Sequence, residues 1–359
     1  MLRADVAPPS SHINRFPGGW GALTTKRGLS HHLVQFHRAT KKKLPLDKFW
    51  PRCYSLGNAD ARHHFEKDFQ LSEALCLLRK HLLSGKEPAA LDPALHAAAS
   101  LWGAALKEPW NTIVQSAGAT GTPLPRAKLK ALVKSAGKVA RQSGLTGGDE
   151  RPGHNVWIVK PSSLSRGRGI ALFTDLRAIR TYTRSSEREE AEEELMEDRP
   201  WEDRLSMKCK AWVAQKYIER PLIVQRKKFD IRQWVLVTSI HPLKVWFYDD
   251  CYLRFCSVNY DPDDLSQPFA HLTNNSVQKH ASTLGSPRET EEEEEAEVID
   301  GNMWHSREFR QHLLNTHGYD AWVETVQPQM KRATVLAMKV LGVGSDPYAP
   351  YPNRRPDAP

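Results

Sequence analysis

The sequence predicts an α+β protein, and three observations point there. Residues 46–145 carry apolar positions at helix-like spacing, residues 155–256 hold successive β-branched and aromatic runs, and helical spacing returns after Trp304. Residues 1–45 are rich in Pro, Gly, Ser and basic residues, end on Lys41-Lys42-Lys43, and read as a flexible basic arm. From Phe65 to Leu83 the positions Phe69, Leu71, Leu75, Leu78 and Leu82 recur at helical spacing. Ala90–Leu106 and the Lys- and Arg-studded Ala127–Ala140 also favour helix, and Gly144–Gly153 is a turn-rich linker.

The texture then changes. Asn155–Lys160 and Gly169–Phe173 read as strands flanking a Ser/Arg/Gly loop. Trp212–Tyr217, Phe229–Ile240, Val245–Tyr248 and Tyr252–Cys256 read as further strands, and strand alternation puts Asp230 and Arg232 on one face. Trp304–Leu314 and Ala321–Leu341 read as helices. The expected organisation is an arm (1–45), a helical region (46–150), a core (151–341) with acidic insertions near 187–204 and 289–297, and a Pro-rich tail (342–359).

With 359 residues, 40% hydrophobic and 26% charged, the chain reads as globular. No apolar run approaches the roughly 18 residues of a membrane span, so no membrane insertion is expected. Met1–Trp20 has no signal-peptide core. The five cysteines (Cys53, Cys76, Cys209, Cys251, Cys256) lack CxxC spacing, which argues against a zinc site or disulfide framework and for reduced thiols in the cytoplasm. Residues 1–180 hold 28 basic against 12 acidic residues, and 181–359 hold 23 against 30. A basic half suits a polyanionic partner, and equally a solvated surface. No zinc-finger spacing or aromatic RNA-binding motif accompanies it, so nucleic acid is not the expected partner.

Five segments gather residues able to do chemistry. Lys160 to Ile170 (KPSSLSRGRGI) combines Lys160, Arg166 and Arg168 with Gly167 and Gly169, small residues that let backbone N–H groups turn toward an anion. It is not a Walker A loop, and an ordinary basic hairpin has the same composition. Gln215-Lys216-Tyr217-Ile218 ends a strand, where backbone groups can meet an adenine edge. Lys228-Phe229-Asp230-Ile231-Arg232 places three charges on one face of a strand, which calls for pairing or a ligand. Arg254 is a cation within an apolar strand, suited to a carboxylate or phosphate. His271-Leu272-Thr273-Asn274-Asn275-Ser276 gathers short donors and acceptors that can hold phosphate or cap a helix.

In order, WIVKP with SRGRGI, QKYIERPL, KFDIRQWVLVT, VWFYDDCYLRF and HLTNNSVQKH resemble the successive motifs of the tubulin tyrosine ligase-like family. Within it the chain is most similar to the glycylases that start glycine side chains on tubulin. Trp50–Gly57 and Asp68–Leu71 resemble the helical region those enzymes carry ahead of the core, and Asn302-Met303-Trp304 also fits.

The resemblance implies an ATP-grasp-like core preceded by a helical region. It implies that Lys160, Arg166 and Gly167 meet ATP phosphates and that Gln215, Lys216, Tyr217 and Ile218 form the adenine hinge. Lys228, Phe229 and Asp230 would hold nucleotide and ribose, with Thr273, Asn274, Asn275 and Ser276 at the phosphates. Arg232 and Arg254 would receive carboxylates of the amino acid or acceptor tail. The implied reaction activates a glutamate γ-carboxylate of the tubulin tail as an acyl phosphate, which the amine of free glycine attacks.

Tubulin in microtubules is the implied partner, and the cytoskeleton, cilium or axoneme the implied location. The family's core also carries an Asp strand and a Glu-x-Asn pair that coordinate Mg2+. No such segment appears after Leu341, so the core is expected to be C-terminally truncated, with no metal ligand assigned and with exposed apolar surface that lowers solubility. The alternatives are a glutamate ligase of the same family and a truncated, non-catalytic microtubule-binding isoform.

Overall fold

A computed structural model of the chain describes residues 23–39, 49–57, 59–85, 92–107, 109–142, 154–162, 164–193, 212–240, 242–281 and 302–339. The chain divides into two units. One is Pro45–Ile223 with Asn259–His280; the other is Val224–Val258 with Met1–Leu44 and Ala281–Pro359. Both mix helices with antiparallel sheet, as the α+β expectation requires.

The first unit opens with β1 (Cys53–Ser55), followed by α2 (Ala59–Leu83), α3 (Pro93–Leu106), α4 (Trp110–Ala119) and α5 (Arg126–Gln142). Helix α1 (Lys26–Ala39) precedes them and belongs to the other unit. Leu71, Leu75 and Leu78 of α2 pack with Ala98, Ala99 and Trp102 of α3, Val114 of α4, and Leu129, Leu132, Ala136 and Ala140 of α5. The Trp102 indole N–H meets the Leu71 carbonyl at 2.9 Å, so the largest side chain of this core leaves no polar atom unsatisfied. Asp92 caps α3 by accepting from Ala94 and Leu95, and Pro93 occupies the first helical turn.

Strands β2 (Trp157–Pro161), β3 (Ala171–Phe173) and β4 (Trp212–Lys216) join β1 in a sheet of order β1-β4-β2-β3, antiparallel throughout. Helix α6 (Leu176–Glu193) follows β3. Alternation gives this sheet two different faces. Trp157, Val159, Trp212 and Ala214 pack against Phe65 and Phe69 of α2 and Ile179 of α6. Val156, Ile158, Tyr217 and Leu272 form a second cluster. Helix α2 thus serves both cores of the unit, its Phe65 and Phe69 on the sheet and its later turns on the helices.

The second unit is built on β5 (Ile223–Val224), β6 (Lys227–Ile240), β7 (Leu243–Phe255) and β8 (Met303–His305), in that order across the sheet. Phe229 and Ile231 of β6, Cys251, Leu253 and Phe255 of β7 and Trp304 of β8 pack with Phe309 and Leu313 of α9 (Ser306–His317). Trp322 joins them from a π-helical turn (Trp322–Val326) that leads into α10 (Gln327–Lys339).

Four sequence expectations are corrected. Trp50–Gly57 was grouped with the helices, yet Cys53–Ser55 pairs with β4, because Tyr54 finds its packing partners Phe65 and Trp157 there. The expected pair of strands over Val245–Tyr248 and Tyr252–Cys256 is one strand: pairing with β6 on both sides carries it through Asp249-Asp250, where the register shifts and both aspartates are exposed. Trp304 sits in β8, and the helix expected from that residue starts at Ser306. The basic arm contains α1, with Leu33 fully buried. Sequence reading also passed over α4, whose ten residues carry few large apolar groups. Helix α6 runs into the first acidic insertion; the rest of that insertion, the second one and the Pro-rich tail lie outside the described residues.

Candidate active site

In the first unit, the Ser/Arg/Gly loop after β2 closes onto the His271–Ser276 segment. Arg166, Gly167 and Gly169 have positive φ angles of 62°, 79° and 62°. A side-chain carbon at Gly167 would stand 2.9 Å from Val277 Cγ2 and 3.3 Å from Asn274 Oδ1, so the close approach requires glycine. The Ser276 hydroxyl donates to the Arg166 carbonyl at 2.5 Å. That bond answers the alternative in which Ser276 caps the helix, because Asn274 holds the N-cap position, without a side-chain capping bond. The Arg166 and Arg168 side chains and Asn275 are exposed, while Thr273 is buried. The loop therefore presents cations and small residues beside a turn of hydroxyl and amide groups, a donor set suited to phosphate oxygens.

Alternation along β4 sorts the remaining candidates. Gln215 shares a face with Lys160, whose ammonium donates to the Gln215 amide oxygen at 2.7 Å. Tyr217 follows on that face, its hydroxyl 3.0 Å from His271 Nδ1. The other His271 nitrogen faces the Asp264 carbonyl at 2.8 Å; a carbonyl only accepts, so Nε2 carries a proton. Ile218 is 57% exposed, an apolar side chain at the strand end.

Lys216 points to the opposite face. Its ammonium lies 5.8 Å from the Trp157 ring centroid, donates to the Val156 carbonyl at 2.8 Å and pairs with Glu219. Burial lowers its pKa, and Glu219 opposes that shift.

Glu219 is the residue that sequence reading missed. Its carboxylate accepts from the backbone N–H of His154 at 2.7 Å and of Val156 at 2.8 Å as well as from Lys216, and its carbonyl accepts from the Tyr260 hydroxyl at 2.7 Å. Burial alone would raise its pKa; Lys216 and the two backbone donors bring it below the usual carboxylate value. The signal in the sequence was Glu219 directly after the candidate hinge, but its partners at 154 and 156 are more than 60 positions away.

A second missed network lies under the same sheet. Asp68, 3% exposed, pairs with Arg52 and accepts from the Tyr54 hydroxyl at 2.7 Å and Ser72 at 3.1 Å. Arg52 also lies 5.2 Å from the Trp157 ring centroid, and its carbonyl receives the Lys216 N–H at 2.8 Å. The WPRCYSLG and DFQL segments thus meet in a buried, charge-neutral network that supports β4.

In the second unit, the half of the β6–β7 ribbon around Phe229–Arg232 and Cys251–Phe255 has an apolar and a charged face. Asp230 stands opposite Arg254 across the ladder and is gripped in a fork: Arg254 Nε to Oδ1 at 3.0 Å and Nη2 to Oδ2 at 2.7 Å. Arg232 Nε is 3.5 Å from Oδ2, with 45% of its side chain exposed. Lys228 shares this face; burial lowers its pKa, while Cys256 and Asp230 oppose that shift. The thiol of Cys256 is itself pushed up to about 12 by burial. Three cations against one carboxylate leave this face positively charged, so it can receive further carboxylate or phosphate. Phe229 lies on the apolar side with Phe255 and Phe309.

Among the described residues no group of three or more His, Cys, Asp or Glu side chains is arranged to hold a metal ion. A cavity of about 170 Å³ lies on the helix-covered side of the first sheet, lined by residues including Arg62, Arg180, Arg184 and Trp212. It is occupied electrostatically by the Arg180–Glu66 pair and is distinct from the loop and turn described above.

Residues 123–349 match the model of the tubulin-tyrosine ligase family. The chain is 37% identical over 198 residues to Tubulin glycylase 3C of Tetrahymena thermophila, which covers 55% of this chain and 15% of that protein. It is 29% identical over a 377-residue alignment to Tubulin monoglycylase TTLL3 of Danio rerio (89% of this chain, 44% of that protein). It is 31% identical over 242 residues to Protein monoglycylase TTLL8 of Mus musculus (65% and 26%). The chain thus spans less than half the length of each. A family match over more than half the chain, with the motif segments inside it, shows that this chain belongs to the tubulin-tyrosine ligase family.

Proposed function

We propose that this chain carries the nucleotide and amino-acid machinery of an ATP-dependent ligase that joins glycine to the γ-carboxylate of a glutamate in the acidic tail of tubulin. One observation carries the reading: the glycine loop Arg166–Gly169 seats against the Thr273–Ser276 turn, leaving Arg166 and Arg168 exposed beside it. The glycylase names of its relatives select glycine among the family's amino acids.

ATP is the co-substrate. Lys160, Arg166, Gly167, Thr273, Asn274, Asn275 and Ser276 are assigned to its phosphates, and Gln215, Tyr217 and Ile218 to adenine. Lys216 acts from the reverse face by holding the strand end in place. Lys228 and Asp230 are assigned to nucleotide and ribose, Phe229 supports them from the core, and Arg232 and Arg254 are assigned to substrate carboxylates, Arg254 through the donors that its fork onto Asp230 leaves over. In the first step the acceptor γ-carboxylate oxygen takes the γ-phosphoryl group and ADP leaves. The glycine amine then attacks the acyl carbon, phosphate departs with the bonding pair, and the nitrogen loses a proton. The protein's contribution is positioning and neutralisation of charge on the transferring phosphoryl group. The reading places the chain at the microtubule cytoskeleton, including the cilium.

Purified chain incubated with tubulin, Mg-ATP and labelled glycine, with labelled glutamate in parallel, tests this. Glycine incorporation is expected, lost by about 100-fold or more in Arg254→Ala and Lys228→Ala. Gly167→Ala is expected to weaken ATP binding while the chain stays folded. Incorporation of glutamate alone overturns the glycine assignment, and absence of both with no ATP binding overturns the ligase reading for this chain.

A further inference from the structure

Helix α5 carries Arg126, Lys128, Lys130, Lys134, Lys138 and Arg141 and no acidic residue. Its rotation about its own axis is set by Leu129, Leu132, Ala136 and Ala140, all buried in the helical core. That setting turns Lys128, Lys130, Lys134 and Lys138 outward, and all four are exposed. Lys130, Lys134 and Lys138 follow one another at i, i+4 and i+8, a row with a step of about 6 Å. Like charges at this spacing destabilise a helix, so the row works against the element that bears it. Of the helices packed on α5, α3 has no acidic residue, and the acidic residues of α2 make no ion pair with the row: Asp68 pairs with Arg52 and Glu66 with Arg180. Among the described residues none of these lysines has a hydrogen-bond or ion-pair partner.

We propose that the outward face of α5 is a docking surface for an extended acidic polypeptide, which lies along Lys130, Lys134 and Lys138. In extended backbone every second side chain shares a face, which spaces carboxylates by about 6.6 Å, close to the step of the lysine row. Lysine suits such a strand, because an ammonium pairs with single carboxylates without demanding a planar, two-pronged geometry. A single-stranded nucleic acid has comparable charge spacing but is gripped by aromatic stacking as well, and α5 has no aromatic residue. The inference rests on the proposal that the chain acts on an acidic tail, and assigns the surface that holds that tail.

The test uses the full chain, a fluorescent poly-glutamate peptide, poly-uridine of equal charge, and microtubules with and without their acidic tails. Lys134→Glu is the decisive variant. It puts a carboxylate at i±4 from two lysines, so the helix is stabilised and a binding loss cannot be blamed on unfolding. Expected are binding of poly-glutamate about tenfold weaker in Lys134→Glu than in wild type, and the same loss on intact microtubules, with none on trimmed ones. Unchanged binding in Lys134→Glu, equal loss on trimmed microtubules, or tighter binding of poly-uridine than of poly-glutamate overturns the proposal. The glycine assay keeps the two readings apart. Wild-type chain that binds as expected but transfers no glycine sinks the ligase reading and leaves the docking face standing. Normal transfer by Lys134→Glu at limiting acceptor does the reverse.

Discussion

Glu219 shows how one side chain can organise a site from outside it. Its carboxylate ties the start of β2 to the end of β4 through two backbone donors and Lys216, and so fixes the segment Gln215–Ile218 without lying in it. Glu219→Gln keeps the shape, turns one acceptor oxygen into a donor and leaves the buried Lys216 ammonium uncompensated. We expect it to lower unfolding free energy by about 1–3 kcal/mol, measured by urea denaturation at pH 7. The pH dependence follows from the sign of the shift. A carboxylate held below its usual pKa stabilises the fold above about pH 4.3, and that contribution is lost as pH falls through the folded value. Wild type should therefore lose stability on acidification more steeply than Glu219→Gln; parallel acid limbs would show that Glu219 is not titrating as described. Arg254 shows the limit of reading single residues. The sequence marks it as a cation waiting for a ligand, whereas its fork is already filled by Asp230, which leaves Arg232 as the more available guanidinium on that face.

At the scale of elements, the β6–β7 ribbon is the outlier. Its far half presents Trp234, Leu236, Trp246 and Tyr248, each more than 60% exposed, on one face. Strand pairing sets Leu236 opposite Trp246, and the Trp246 indole donates to Thr238 at 3.2 Å, so the face is ordered as well as apolar. A patch of this kind promotes association. Replacing Trp234 and Trp246 together by Thr, a good strand former, should raise the soluble fraction and lower light scattering at a given concentration. An unchanged scattering curve would show that association has another source. The helices were legible because their apolar spacing is regular, as in Leu71, Leu75 and Leu78. Strand β1 was not, because three residues carry no period and its place depends on Tyr54 meeting Trp157, a hundred positions along the chain.

For the whole molecule, net charge and its distribution are the properties that act at range. The formal charge is +9, with the excess of basic residues in the first half. If that field steers the chain to an acidic surface, association with microtubules should weaken steeply as salt is raised and the screening length falls below about 8 Å. A flat response in co-sedimentation between low and high salt would mean that apolar contact dominates instead.

By itself the sequence determined the α+β class, most helices and the strands that bear motifs, because hydrophobic period and turn chemistry are local. It also determined the family, because the motifs occur in order and the order survives without knowledge of contacts. Only the tertiary structure decided which charges were already spent. Asp230 on Arg254, Lys216 on Glu219 and Arg52 on Asp68 are pairings across a ladder, a strand end and a helix, and the Asp68 and Glu219 networks lie largely beneath the sheet. The seating of Gly167 against Asn274 and Val277 belongs to the same class, since it joins residues more than a hundred positions apart. The physical reason is the same in each case: a buried charge or a close backbone approach is stable only where its partner lies in space, and position along the chain does not record that distance.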